Sequence, residues 1–312
     1  MRVVQEATRG RSRARNHGSR LASGRYLAFI DVDCEAPTNW LTASLAALGR
    51  PWIGAVQARV HKPGFAPPGL AFTQAHYYRP FLDTCAMVTT RLAFKHAHGF
   101  DEELRRTVDM DYSFRLLSCG YALAWLPRVV MTKHHDLTSR QILRRGWDGG
   151  KSLSVLARKW RKLTPQSPAK LWRDRTLSWA RSLVKDAARP LDSRGKNALE
   201  ATVKLLAAAV TDLQGGQVQV GEYGLATRVH EVLGRGSSLV LSEDEGLIYD
   251  STRQQLHRLD RAQSVAVCGL IDGVDDGAIA AQIAASASVP AAEAQAALLA
   301  ARALGERLRR MS

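Results

Sequence analysis

Tyr26-Leu27-Ala28-Phe29-Ile30-Asp31-Val32-Asp33 is the stretch on which the fold turns. Its unbroken apolar run reads as a strand buried on both faces of a mostly parallel sheet. The run stops at two acids spaced i, i+2. Such residues project to one side of an extended chain. They lie just past the carboxyl end of a strand, where open α/β sheets bind their ligands. There, Asp31 and Asp33 would hold Mn2+ or Mg2+ through hard oxygen ligands, together with a diphosphate. Asp-x-Asp alone also describes turns and helix caps. The buried strand before it, and Pro37, Trp40 and Leu41 after it, favour the ligand reading.

Upstream, Arg2–Glu6 predicts a short strand, and Ser12–Ser23 a helix with Ser12 as N-cap and Gly24 just past its end. Downstream, Trp40–Leu48 predicts a helix. Residues 51–100 read as short strands and loops around Pro63, Pro67 and Pro68. Asp109–Cys119 predicts a helix closed by Gly120. Tyr121–Leu126 and Val129–Met131 read as two strands separated by Pro127, the second leading to His134 and His135. Residues 139–213 become basic and helical, with amphipathic stretches at 171–184 and 198–213 interrupted by Pro165, Pro168, Pro190 and Gly195. Turn-rich linkers follow at 214–221 and 234–237.

The chain has 312 residues, enough for two domains, and carries a net charge of +15. That charge implies an acidic partner, such as a nucleotide diphosphate, a nucleic acid or an anionic membrane surface. It divides unevenly. Residues 237–312 hold seven Lys and Arg against ten Asp and Glu, and the remainder carries +18. Such a step suggests two units with different partners. Cys34, Cys85, Cys119 and Cys268 lack metal-ligand spacing and fit buried thiols of a reducing cytosol. No run of eighteen apolar residues marks a spanning helix, and the Arg-rich N-terminus is not a secretory signal.

A second constellation is Asp109-Met110-Asp111-Tyr112-Ser113-Phe114-Arg115. Two readings of it stand. Asp109 is a helix cap and Asp111–Arg115 a surface i,i+4 pair, or Asp109 is a general base that takes a proton from an acceptor hydroxyl. His134 and His135 likewise are either structural or add an imidazole to a metal site, with His134 the better placed.

The order of these motifs resembles the family 2 glycosyltransferases of the GT-A fold. Gly10-x-Ser12-x-Ala14-Arg15-Asn16-x-Gly18 precedes Ala22-x-Gly24, the strand and the Asp-x-Asp. Gly99-Phe100-Asp101-Glu102, Asp109-x-Asp111-x-x-x-Arg115, Gly120-Tyr121, Pro127, His134 and Arg144-Arg145-Gly146-x-x-x-Gly150 follow in turn. The resemblance covers roughly residues 3–150 and starts at about the family's third strand. It implies an α/β class with a partial, Rossmann-like GT-A domain over 1–138, N-terminally incomplete, and a basic helical extension and linker over 139–236. It also implies a nucleotide-diphosphate sugar held near Arg15, Asn16, Asp31 and Asp33, a metal on Asp31, Asp33 and His134, and Asp109 as base. Gly99, Phe100, Asp111 and Arg115 fall on the acceptor side. The family often has Glu where Val108 stands. The implied reaction is direct displacement with inversion, driven by positioning and by stabilisation of the departing diphosphate.

Residues 237–312 show strand signals at 238–241, 246–249 and 254–259 and helix signals at 261–271, 276–285 and 291–309. Tyr249-Asp250, Leu256-His257-Arg258-Leu259-Asp260 and Leu270-Ile271-Asp272-Gly273 resemble the PqqD-like domains, small α+β winged-helix-like units that bind precursor peptides. The resemblance implies an extended peptide added as a strand at Gln254, Gln255, Leu256, His257, Arg258 and Leu259. It also places the transfer in ribosomal-peptide or cell-surface glycan biosynthesis. A plain three-strand, three-helix core explains most of the same Leu and Ile. The net −3 of this segment argues against a winged-helix DNA reader, so no nucleic-acid partner is expected. The expected setting is cytoplasmic, with the basic helices touching an anionic inner membrane face. A rival reading makes the chain a non-catalytic peptide-binding scaffold with a degenerate transferase half.

Overall fold

A computed structural model of the protein describes residues 3–61, 80–134, 138–160, 176–177, 180, 196–214, 228–253 and 255–310. The expectations for His135, Gln254, the prolines at 63, 67, 68, 165, 168 and 190, Gly195 and most of 171–184 lie outside these residues.

Eight strands among the described residues form one mixed sheet. They are β1 (Tyr26–Ile30), β2 (Cys34–Glu35), β3 (Ile53–His61), β4 (Ala86–Thr90), β5 (Ala122–Lys133), β6 (Ser237–Leu241), β7 (Gly246–Asp250) and β8 (Gln255–Leu259). The order is β1-β4-β3-β5-β6-β7-β8, with β2 paired to the end of β5. Only β3–β5 and β5–β6 run parallel. The sheet is therefore not mostly parallel, and β1 is not buried on both faces. Leu27 and Phe29 face the core, whereas Ile30 is 48% exposed. An apolar run alone does not distinguish a central strand from one at the end of the sheet order.

Residues 3–6 form no strand. Helix α1 (Arg11–Leu21) starts after Gly10, and Ser12 lies inside it rather than capping it. Its buried stripe is polar: Ser12, Asn16 and Ser19 face inward. The strands expected at 121–126 and 129–131 are one strand, β5. Its register with β3 jumps from Ala58↔Leu126 to Arg59↔Val130, so Pro127 sits in a bulge where no ladder donor is required.

Helices α2 (Trp40–Ala47), α3 (Arg91–His96) and α4 (Val108–Ser118) complete the first half. Helix α5 (Ser139–Lys159) begins with a capping box between Thr138 and Gln141 and packs along α6 (Lys196–Gln214). Gly146 and Gly150 permit that approach. A Cβ on Gly146 would lie 2.8 Å from the Glu200 carbonyl, and one on Gly150 would collide with that of Lys204.

Helix α7 (Arg228–Leu233) leads into β6–β8 and then α8 (Arg261–Asp272), α9 (Asp276–Ala287) and α10 (Ala291–Arg309). Asp260 with Gln263 boxes the start of α8, Gly273 ends it at φ 72°, and Asp275 caps α9. The sheet continues past residue 237, because β6 pairs with β5 through Leu123↔Val240 and Ala124↔Leu241. All of β6 is buried, so both of its edges and faces need partners. Two apolar clusters line the two faces, and each draws on both halves of the chain. One joins Trp40, Trp52 and Ile53 to Leu239, Ile271 and Ile279; the other joins Phe29, Tyr112 and Trp125 to Val240 and Leu247. At the junction the Trp52 indole donates to Asp272 at 2.6 Å, and Arg128 pairs with Glu243 and Asp244, each at 3.0 Å.

Candidate active site

The ends of β1 and β5 and the first turn of α4 carry the predicted site residues. Asp31 follows β1, and both of its oxygens are engaged by cations. The Arg15 guanidinium donates to one at 2.7 Å and the Lys133 ammonium to the other at 2.8 Å. Burial pushes the Asp31 carboxyl up, but the hydrogen bond from Lys133 and the charges of Arg15 and Lys133 outweigh it and hold it below the ordinary range. Lys133 also lies 3.3 Å from Asp33, whose Oδ1 receives the Cys34 thiol at 3.7 Å. Burial disfavours the Lys133 ammonium, yet the hydrogen bond to Asp31 raises its pKa above the usual lysine value.

These contacts decide whether a metal fits. A divalent cation needs carboxylate lone pairs, and those of Asp31 already face two cations. The His134 ring lies 3.3 Å from Glu35 and is largely exposed. Among the described residues, no group of three or more His, Cys, Asp or Glu is placed to hold a metal. The expected set of Asp31, Asp33 and His134 is not assembled, because Lys133 sits between the two aspartates.

Asp109 lies in the first turn of α4, partly exposed, and its Oδ1 accepts from the Met110 N–H at 3.0 Å. Thr107, before the helix, has a left-handed φ of 59°. Strain of this kind persists where surrounding structure enforces it, and Thr107 and its neighbour Arg106 are tied to Ser152 of α5. Burial, and next the negative charge of Asp83, push the Asp109 carboxyl up to about 6. The charge of Arg15 acts in the other direction, so one arginine pairs with Asp31 and also acts on Asp109. Asp83 precedes β4. Its loop is fixed to α4, since the Leu82 N–H donates to the Ser113 hydroxyl, which donates to the Asp109 carbonyl.

Asp111 and Arg115 are not a surface pair. Asp111 is fully buried; it receives Arg115 at 2.8 Å, Lys159 at 2.9 Å and the Trp160 indole at 3.0 Å. Arg115 reaches on to the carbonyls of Ala97 and Gly99. Lys159 also binds Asp101 at 2.6 Å. The basic extension thus plugs into the first half through the end of α5, and its cations are partly internal.

Asn16, expected at the donor, is spent on the loop after α3. Its amide donates to the Phe100 carbonyl and to Glu102, and its oxygen accepts from the Phe100 N–H. Gly99 has φ 66°, and a Cβ there would lie 2.8 Å from the Asn16 oxygen. Phe100 itself is buried against Phe29, Phe94 and Tyr112. Asn16, Gly99, Phe100, Asp111 and Arg115 therefore hold the loop and helix that carry Asp109.

Sequence reading passed over Lys133 and Asp83. Lys133 gave one signal, a lysine closing an apolar strand just before His134. Asp83 gave none.

At the far edge, β8 ends the sheet order. Gln255, Leu256 and Arg258 are exposed there. A cleft of about 380 Å³ runs between β8 and α10, lined by Leu256, His257, Leu259, Ala301, Leu304 and Arg307. Partial burial and the charge of Arg307 lower the His257 pKa.

Several known proteins are similar to parts of this chain. Two curated relatives are pre-mycofactocin glycosyltransferases from two strains of Mycobacterium tuberculosis, CDC 1551 / Oshkosh and ATCC 25618 / H37Rv. Each is 23% identical over 175 residues, covering 51% of this chain and 37% of the relative. The chain thus spans little more than a third of the length of these relatives. A mannosyltransferase from Pyrobaculum calidifontis, solved with GDP-Man and Mn2+, aligns at TM-score 0.42 and 19% identity, over 67% of this chain and 68% of that one. Residues 1–117, which contain Arg15, Asp31, Asp33, Asp83 and Asp109, match the family model of glycosyl transferase family 2.

Proposed function

We propose that the chain is a glycosyltransferase that moves a sugar from a nucleotide-diphosphate sugar to an acceptor hydroxyl with inversion. The observation that carries this reading is Asp109. It is a carboxylate raised to about 6 at a helix start, beside an acid and within reach of the charge of the arginine that pairs with Asp31. A base with a pKa near the working pH combines a useful ionised fraction with proton affinity. The acceptor oxygen attacks the sugar's anomeric carbon and its proton goes to Asp109. The bond from that carbon to the diphosphate oxygen breaks, and the electron pair leaves with the diphosphate. Positive side chains at the β1 end offset that charge.

The direct test is donor turnover by the full chain with nucleotide-diphosphate sugars and a hydroxyl acceptor. Diphosphate release would be followed, and the anomeric configuration of the product read by NMR. An α-linked donor should give a β-linked product. Retained configuration would overturn inversion, and no release from any donor would overturn the transferase reading.

A second reading rests on the β8 edge. Its exposed backbone and the adjoining cleft support an extended peptide joining the sheet as a further strand, as the PqqD-like resemblance implies. The peptide would bring the acceptor. No single described helix is long and apolar enough to cross a membrane. The +18 carried by residues 1–236 supports a peripheral contact of a cytoplasmic protein with anionic lipid, testable by vesicle cosedimentation at low and high salt.

A further inference from the structure

Lys133 is not a free surface lysine. It ends β5, pairs in register with Cys34 of β2, and is 8% exposed. The next residue, His134, donates its backbone N–H to the Asp33 carbonyl at 2.8 Å, so the backbone on both sides of Lys133 is anchored to the aspartate segment. Its ammonium sits 2.8 Å from Asp31 and 3.3 Å from Asp33, where a cation bridging Asp-x-Asp belongs. Arg15 takes the remaining oxygen of Asp31. Arg15 and Lys133 are thus both paired with the carboxylates of the Asp-x-Asp segment. A divalent ion entering here would have to displace the ammonium of Lys133, whose backbone is anchored by β-pairing, or lie beside it at strong repulsion. A diphosphate would instead meet positive groups already in place, as lysine and arginine meet phosphates elsewhere.

We propose that Lys133, held by Asp31 and Asp33 and assisted by Arg15, is the cation that faces the departing diphosphate, so that this Asp-x-Asp positions side-chain cations instead of a metal. The inference rests on the nucleotide-sugar reading above. It makes Lys133 a binding residue and the two aspartates positioning residues.

Two measurements on the full chain test it. In the first, Mn2+ alone is titrated against wild type and Lys133→Met, with free ion read by electron paramagnetic resonance. Removing the ammonium should expose the carboxylates and tighten Mn2+ binding by about tenfold or more, the scale of one charge-assisted contact. Micromolar uptake of one Mn2+ by wild type, unchanged in the variant, overturns the proposal. In the second, nucleoside diphosphate binding is measured by calorimetry with EDTA and with Mn2+. Wild-type affinity should agree within about threefold between the two conditions, below the weight of a single charged hydrogen bond. Lys133→Met should lose about tenfold or more in EDTA, and Lys133→Arg should retain EDTA-resistant binding. Binding by wild type only when Mn2+ is present overturns the proposal and leaves the nucleotide reading standing. No binding in either condition overturns both.

Discussion

Replacing Asp109 with Asn should slow the proposed transfer and stabilise the protein, and the stabilisation should depend on pH. Asn keeps the shape and the acceptor for the Met110 N–H but has no proton affinity. Loss of a general base lowers turnover by about a hundredfold or more. The stability effect follows from the raised carboxyl. It is pushed up to about 6 in the folded state from an ordinary aspartate value of 3.8. The folded state therefore holds the proton more tightly than the unfolded chain, and stability is lost as pH rises from about 4 through about 6. Two units correspond to about 3 kcal/mol of cost at pH 8, roughly half that at pH 5, and little at pH 4. The variant escapes this cost. Urea unfolding of wild type and Asp109→Asn at pH 5 and pH 8 should show the variant gaining about 3 kcal/mol at the higher pH and roughly half of that at the lower. The pH–rate profile of wild type should rise through about pH 6 as Asp109 ionises. A variant that turns over normally, or is destabilised equally at both pH values, would show that Asp109 merely caps α4.

Three further substitutions probe the frame around that residue. Asp111→Asn leaves Arg115 and Lys159 buried without their shared counter-charge and should cost about 3–5 kcal/mol in urea unfolding; a cost below about 1 kcal/mol would mean that the network is wet. Gly99→Ala forces a left-handed φ and pushes on the Asn16 clamp, so it should cost about 1–3 kcal/mol, and a neutral melt would show the loop to be slack. At the far edge, Gln255→Pro removes a backbone donor from β8. It should abolish binding of extended peptides, for which micromolar affinity near −8 kcal/mol is expected; fluorescence titration with and without the change decides, and equal binding rules out strand addition.

The C-terminal elements were the most legible part of the chain. Asp260 with Gln263, Asp275 and Gly273 mark helix ends by local chemistry, and β6–β8 fall within one residue of the strand signals at 238–241, 246–249 and 254–259. What lay further apart was harder to see. Parallel pairing of Leu123 with Val240 joins residues more than a hundred positions apart, and no local pattern announces it. The polar inward face of α1 carries no apolar periodicity to mark it, because its burial depends on Asn16 reaching a loop 84 residues on. The site showed the same split. Asp31, Asp33 and Asp109 stood out by motif and position. Lys133, which alters what the aspartates do, becomes visible only when β2 folds against β5 and brings residue 133 beside them.

The continuous sheet also sets a length scale. From β1 to β8 the order passes through six strand spacings, about 29 Å at 4.8 Å each. A peptide clamped along β8 would need about nine extended residues, at roughly 3.3 Å per residue, to bring a hydroxyl to the β1 end. Because β6 locks the two halves into one sheet, the chain cannot shorten that span by folding one half toward the other. The sheet would act as a ruler, and the spacing between a peptide's anchored segment and its modified residue would be a property that the substrate must match.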